Sequence, residues 1–107
     1  MYPKEYTSAM IEIRQTEHYS KWFDNLKDRN ARARIDIRIR RLSLGNPGNV
    51  KPVGRGISEI RIDYGPGYRV YFTQRKNQLI VLLAGGDKNS QSSDIKEAQI
   101  LAREIEE

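Results

Sequence analysis

The chain has 107 residues, with 19 basic and 14 acidic side chains, one histidine and no cysteine. This length predicts one domain, residues 1–107, with a single hydrophobic core. The absence of cysteine excludes a disulfide framework and a thiolate metal site. The longest apolar run, residues 79–84, is too short to span a bilayer, and the N-terminus has no apolar signal region. We therefore expect a cytoplasmic protein.

The formal net charge of +5 is unevenly distributed along the chain. Residues 94–107 carry five acidic and two basic side chains, which leaves 17 basic and 9 acidic side chains for residues 1–93. A basic body with an acidic tail indicates a polyanionic partner. The composition favours nucleic acid contact over a surface whose arginines are merely solvated.

The first third of the chain predicts one strand and two helices. Residues 10–15 alternate between apolar and polar side chains, as a strand does. Thr16 is a suitable N-cap for a helix with an aromatic stripe. Residues 29–44 also alternate, but their unbroken length and the Gly45-Asn46-Pro47 stop signal favour a helix. The apolar stripe of the first helix is Tyr19, Trp22, Phe23 and Leu26. The second helix has two stripes on opposite sides, which suits a helix packed between a sheet and another helix: Ala31, Ile35, Ile39 and Leu42 form one, and Ala33, Ile37 and Leu44 form the other.

A half-buried β-hairpin is predicted on both sides of the Gly65-Pro66-Gly67 turn, where apolar and polar residues alternate. A register with Ile62 opposite Val70 and Ile60 opposite Phe72 keeps apolar residues together. It also sets Asp63 across from Arg69, Arg61 across from Tyr71 and Glu59 across from Thr73. One face of the hairpin is then apolar, and the other carries these charged and polar side chains.

The remaining segments complete an α+β fold. Residues 46–56, rich in Gly, Pro and Asn, predict a loop that carries Lys51 and Arg55. Residues 79–84 are apolar throughout, which is typical of an interior strand covered on both faces. Asp94 with Glu97 opens a final helix. The order β-α-α-β-β-β-α predicts an antiparallel sheet meander with the helices packed on one face.

This order, with Gly-Tyr-Arg-Val-Tyr-Phe at residues 67–72 and Leu-Leu-Ala-Gly-Gly-Asp-Lys at residues 82–88, resembles the RelE/ParE superfamily of toxins. The resemblance is closest to the HigB-like addiction-module killer proteins of type II toxin–antitoxin systems. It implies a small basic toxin held inactive by a cognate antitoxin, often a helix-turn-helix protein. Many relatives cleave mRNA in the ribosomal A site without a metal ion, which implies a cofactor-independent endoribonuclease that inhibits translation. ParE-type members instead inhibit DNA gyrase by binding, and this function is the alternative.

The resemblance also implies site residues. Arg69 matches the family's phosphate-contacting arginine on the middle strand of the meander. Arg61 matches a basic position one strand earlier, and Lys88 matches a basic position after the last strand. The tyrosine that RelE-type enzymes place at the start of the C-terminal element corresponds here to Ile95. The histidines of some HigB enzymes have no counterpart except His18, in the first helix, so the family's acid and base are not carried over.

Cleavage by attack of the 2′-hydroxyl requires loss of its proton, stabilisation of the phosphorane and protonation of the 5′-oxygen. Arg61, Arg69 and Lys88 would stabilise the developing negative charge. Glu59 is the candidate general base, and Tyr71 is a candidate acid or a platform for base stacking. The predicted nucleic-acid-binding residues are Lys51, Arg55, Arg61, Arg69 and Lys88. Alternatively, the carboxylates and arginines form ordinary cross-strand ion pairs. No metal-ligand spacing occurs, so no metal site is predicted.

Overall fold

The computed structural model describes residues 10–105. Within this range the chain forms five strands and three α-helices, and a short 3-10 turn, Lys88–Ser90, joins the last strand to the last helix. The α+β class is confirmed. In chain order the elements are β1 (Glu12–Gln15), α1 (Glu17–Asp24), α2 (Arg29–Ser43), β2 (Val50–Gly54), β3 (Ile57–Ile62), β4 (Tyr68–Arg75), β5 (Leu79–Asp87) and α3 (Gln91–Glu104).

The sheet has the order β1-β5-β4-β3-β2, in which β1 is parallel to β5 and every other pair is antiparallel. The antiparallel meander is confirmed, but β2 lies in the segment that is predicted as a loop, so that prediction is wrong for residues 50–54. Pro52 and Gly54 obscure this strand in the sequence, and the register shifts between them. A proline is tolerated there because β2 is an edge strand, which forms ladder hydrogen bonds on one side only.

The three helices cover both faces of the sheet rather than one. α1 and α2 pack over the even-numbered side chains of β3 and β4, and α3 packs over Ile57, Tyr71 and Leu83 with Ala98 at the contact. Strand β5 therefore lies between two helical layers, which confirms that its continuous apolar run marks an interior strand. The core beneath α1 and α2 includes Tyr19, Ile35, Leu42, Ile60, Ile62, Val70, Phe72, Ile80 and Leu82.

The starts of α1 and α2 are fixed by side-chain caps. The Thr16 hydroxyl accepts a hydrogen bond from the backbone N–H of Tyr19 at 3.0 Å and donates one to the carbonyl of Leu83 at 2.7 Å. The predicted N-cap is thus confirmed, and it also ties α1 to β5.

The second apolar stripe of α2 faces solvent instead of a helix, because α3 lies on the other side of the sheet; Ile37 is 51% exposed and Leu44 is 49% exposed.

Two glycines near the end of β5 let α1 and α3 approach the sheet closely. A Cβ atom on Gly85 would overlap the ring of Trp22 from α1. A Cβ atom on Gly86 would overlap the carboxylate of Asp94 from α3. The Gly-Gly pair therefore admits one helix on each face of the same strand.

The hairpin register differs by two residues from the predicted one. Ile62 pairs with Tyr68 and Ile60 pairs with Val70, so Arg61 lies opposite Arg69. Both registers keep the same side chains on each face, so the apolar pattern cannot distinguish between them. The turn selects the observed register: the N–H of Gly67 donates to the carbonyl of Tyr64 at 3.1 Å, and residues 63–67 form the loop. The predicted cross-strand pairs of Arg61 with Tyr71, Glu59 with Thr73 and Asp63 with Arg69 are not formed.

Candidate nucleic-acid interface

Arg61 and Arg69 lie on the same face of the sheet, on neighbouring strands, and share one carboxylate. The Nε of Arg61 is 2.8 Å from Oε2 of Glu59, and the Nε of Arg69 is 3.8 Å from the same oxygen. The side chain of Arg61 is 36% exposed and that of Arg69 is 11% exposed. One buried negative charge thus stands between two guanidinium groups, which leaves a net positive charge at the surface.

Glu59 is an internal counter-ion rather than an exposed carboxylate. It is 1% exposed, and its Oε1 accepts a hydrogen bond from Nε2 of Gln91 at 2.9 Å. Burial alone would raise the pKa of Glu59, but the hydrogen bonds from Arg61 and Gln91 and the two arginine charges together hold that pKa below its ordinary value. Glu59 therefore stays ionised, accepts one hydrogen bond on each oxygen and links β3 to the first turn of α3.

An open groove of about 440 Å³ lies above the two arginines. Gly67 forms part of its wall: the position that a Cβ would occupy is 3.8 Å from Nη1 of Arg69 and 3.5 Å from Cβ of Lys88. The turn between β3 and β4 thus sits beside both cationic side chains. The residues that line the groove are Asn49, Arg61, Asp63, Gly65, Pro66, Gly67, Arg69 and Lys88.

Tyr71 lies beneath this groove and does not reach it. Its side chain is fully buried, and its hydroxyl has no hydrogen-bond partner among the described residues. Burial, followed by the charges of Glu59 and Asp94, raises the pKa of Tyr71 well above its ordinary value. The hydroxyl therefore stays neutral, enclosed and without contact to solvent.

The other candidate residues lie apart from the groove. Lys51 lies opposite Glu59 in the register of β2 and β3; its side chain is exposed, and it does not line the groove. Arg55 lies in the tight turn between these strands, with a backbone φ of 55°, and borders the last turns of α3. Nδ1 of His18 is 3.9 Å from the carboxylate of Glu97 on the outer side of the fold. The structure thus brings together Arg61, Arg69 and Lys88 and leaves Lys51 and Arg55 outside.

Two groove residues, Asn49 and Asp63, were not identified as site residues from the sequence. Asp63 is exposed, and none of the ion pairs within residues 10–105 involves it. The loop that carries Asn49 is held by Arg38, whose guanidinium donates to the carbonyls of Asn49 at 3.1 Å and of Arg61 at 2.6 Å. Nothing in the charge run of α2 distinguishes Arg38 from its neighbours, so no pattern signalled this role.

Residues 10–105 show neither a metal-binding cluster nor a helix that could span a membrane. Residues 10–105 contain no group of three His, Cys, Asp or Glu side chains arranged to hold a metal ion. Across the same range, the helices are all too short or too polar to cross a membrane.

The comparisons with known proteins agree with this architecture. The family described as "Phage derived protein Gp49-like (DUF891)" matches residues 21–106. An uncharacterised protein of Haemophilus influenzae (strain ATCC 51907 / DSM 11121 / KW20 / Rd) is 47% identical over 95 residues, which cover 89% of this chain and 96% of that protein. A mutant of the E. coli toxin RelE in the free state superposes with a TM-score of 0.68 at 16% identity, over 90% of this chain and 98% of the other. The chain therefore belongs to the Gp49-like family and has the fold of RelE.

Proposed function

We propose that the protein is the toxin of a type II toxin–antitoxin system and that it cleaves mRNA on the ribosome. Membership of the Gp49-like family and the RelE fold support the toxin assignment. The observation that carries the nuclease assignment is the groove in which Arg61 and Arg69, directly opposite each other, meet Lys88. Guanidinium groups on a rigid sheet suit the geometry and charge of a phosphodiester.

In the proposed reaction the 2′-oxygen of the RNA attacks the adjacent phosphorus, and the bond from phosphorus to the 5′-oxygen breaks. The products are a 2′,3′-cyclic phosphate and a 5′-hydroxyl end. Arg61 and Arg69 stabilise the negative charge that builds on the phosphoryl oxygens. Lys88 stabilises the leaving 5′-oxygen and supplies its proton. These three cations provide the charge that the transition state requires, so the proposal includes no metal ion or other cofactor.

Asp63 takes the role of general base in this proposal, in place of Glu59. It is the carboxylate among the groove-lining residues and it is exposed, whereas Glu59 is buried, accepts hydrogen bonds from Arg61 and Gln91 and lies 3.8 Å from the Nε of Arg69. A base must reach the proton that it removes, and burial prevents Glu59 from doing so. Glu59 is therefore assigned as a positioning residue beneath the groove, and Tyr71 as a core residue.

The proposal implies two kinds of macromolecular partner. The cationic groove would bind mRNA in the cytoplasm at the ribosome. A cognate antitoxin, which we expect to be a helix-turn-helix protein, would bind the toxin and hold it inactive. The antitoxin gene is expected beside the gene for this chain.

A cleavage assay with purified protein and ribosomes programmed with a defined mRNA tests this function. We expect wild-type protein to produce fragments with 5′-hydroxyl ends, and Lys88→Ala to lower the cleavage rate about 10²-fold. Lys51→Ala is the matched control, since this exposed lysine lies outside the groove, and it should cleave like wild type. Intact RNA together with inhibition of purified DNA gyrase would overturn the nuclease proposal and favour the ParE-like alternative.

A further inference from the structure

A second cationic groove adjoins the first one on the side of α2. It has a volume of about 270 Å³. Asp63 lines both grooves, so the two adjoin at this residue, in the turn between β3 and β4. The second groove is lined by Arg34, Ile37, Arg38, Arg41, Ile62 and Asp63.

Its three arginines form no ion pair with any residue from 10 to 105. Residues 34, 38 and 41 lie on one side of α2 because their spacings of four and three residues match the helical repeat. Burial and the nearby charge of Arg41 both lower the pKa of Arg38. An anion in this groove would relieve the repulsion between these side chains.

Two of these three arginines, Arg38 and Arg34, are also held in place. Arg38 is fixed by its hydrogen bonds to the carbonyls of Arg61, Pro47 and Asn49. The guanidinium carbon of Arg34 lies 4.5 Å from the centre of the Tyr64 ring, and the Tyr64 hydroxyl donates to Asp28 at 2.9 Å. Ordered guanidinium groups lose less side-chain entropy when they bind a phosphate.

We propose that this second groove binds the phosphate on the 5′ side of the scissile one in the same RNA strand, a step that rests on the proposed nuclease function. Two consecutive phosphates are joined by one ribose. A strand with one phosphate in each groove would therefore carry that ribose past Asp63, the residue that the grooves share. The α2 arginines then orient the 2′-hydroxyl toward its general base. Single-stranded RNA fits because its flexible backbone can follow a bent cationic path.

Binding of uncleavable 2′-O-methyl RNA at a series of salt concentrations tests the inference. The variant is the double substitution Arg34→Ala and Arg41→Ala, which removes two exposed side chains and leaves the hydrogen bonds of Arg38 intact. Arg40→Ala is the matched control, because Arg40 is exposed on α2 and lies outside the groove. The probe is an unstructured strand of about ten nucleotides, within the usual site sizes for single strands.

We expect the double variant to reduce the slope of log K against log salt by about 0.7 for each phosphate contact that is lost. It should also weaken binding at low salt by about tenfold, whereas Arg40→Ala should match wild type. A double variant that binds like the control would overturn the inference while leaving the proposed function in place. The inference would also be overturned, with the proposed function left in place, if the double variant keeps its RNA affinity but no longer binds the protein encoded by the adjacent reading frame. Failure of wild-type protein to bind this strand would also overturn the inference, whereas the nuclease function is refuted only by the cleavage assay with programmed ribosomes.

Discussion

Arg61 lies directly opposite Arg69 across β3 and β4, and the two guanidinium groups approach the same carboxylate oxygen, Oε2 of Glu59. Like charges that face each other across a strand pair are destabilising. The buried carboxylate offsets this repulsion for one of the two charges. The excess positive charge, together with that of Lys88, is what the groove offers to a phosphodiester.

Replacing Arg69 with lysine should separate charge from geometry. Lysine keeps the positive charge but cannot present two parallel N–H groups to a phosphate. We expect Arg69→Lys to fold and to lower the rate of RNA cleavage at least tenfold, measured in single-turnover assays. A lysine variant with wild-type activity would show that the guanidinium fork is not used.

The buried carboxylate should contribute far more to stability than a similar exposed one. Removing one partner of a buried ion pair costs about 3–5 kcal/mol. Because Arg61 is partly exposed, we expect Glu59→Gln to lower the free energy of unfolding by about 3 kcal/mol, at the low end of this range. The control is Glu12→Gln, because Glu12 pairs with Nε of Arg14 at 2.7 Å in an exposed strand. Exposed pairs contribute about 0.2–1 kcal/mol. Equal effects of the two substitutions on the free energy of unfolding in urea would contradict the assigned role.

The pKa of Glu59 predicts how stability depends on pH. Because the folded protein holds this pKa below the ordinary value of 4.5, the unfolded chain binds the proton more readily. The stabilising contribution is therefore present above about pH 4.5 and is lost as the pH falls through the folded-state pKa. Urea unfolding of wild type and Glu59→Gln across this range should show a smaller acid-induced loss in the variant. Parallel curves for the two proteins would argue against it.

The hydroxyl of Tyr71 should be dispensable. It is buried without a partner among the described residues, so its removal relieves an unsatisfied polar group. We expect Tyr71→Phe to be as stable as wild type or more so, and to cleave RNA within a few-fold of the wild-type rate. A general acid would instead contribute about 10²–10⁴ to the rate. A loss of that size, with unchanged stability, would show that Tyr71 takes part in the reaction as the general acid.

The contact between Gly85 and Trp22 should appear as a strong coupling. Gly85→Ala forces a methyl group into the indole ring and should destabilise the fold by at least the roughly 1–3 kcal/mol that is typical of overpacking. Trp22→Ala removes core packing but also removes the obstacle. In the double variant, thermal unfolding should show a loss smaller than the sum of the single losses. Additive losses would mean that the Trp22 ring moves away from the new methyl group at no cost in the free energy of unfolding.

The sequence predicts well those elements whose local residue pattern is compatible with only one kind of secondary structure. The Thr16 cap, the aromatic stripe of α1 and the apolar run of β5 each agree with only one kind of element and appear as predicted. Strand β2 was missed because an edge strand tolerates the proline that marks a loop elsewhere. The solvent exposure of Ile37 could not be foreseen, since it depends on which face of the sheet receives α3.

The candidate site shows the same division between local and tertiary information. Alternation placed Arg61 and Arg69 on one face, and it did so correctly even though the register was off by two residues. Burial of Glu59 could not be read from the sequence, because α3 and its Gln91 cover it from a distant part of the chain. Asp63 was assigned to an ion pair by the predicted register, and the observed turn instead leaves it in the groove.

Mapping mRNA 5′ ends after brief expression of the protein in cells tests the central claim most directly. If the groove of Arg61, Arg69 and Lys88 cleaves RNA, wild-type protein will generate new 5′-hydroxyl ends within translated messages as growth stops. Lys88→Ala, expressed to the same level, will generate few of them. Growth arrest by wild-type protein with transcripts left intact would contradict the account.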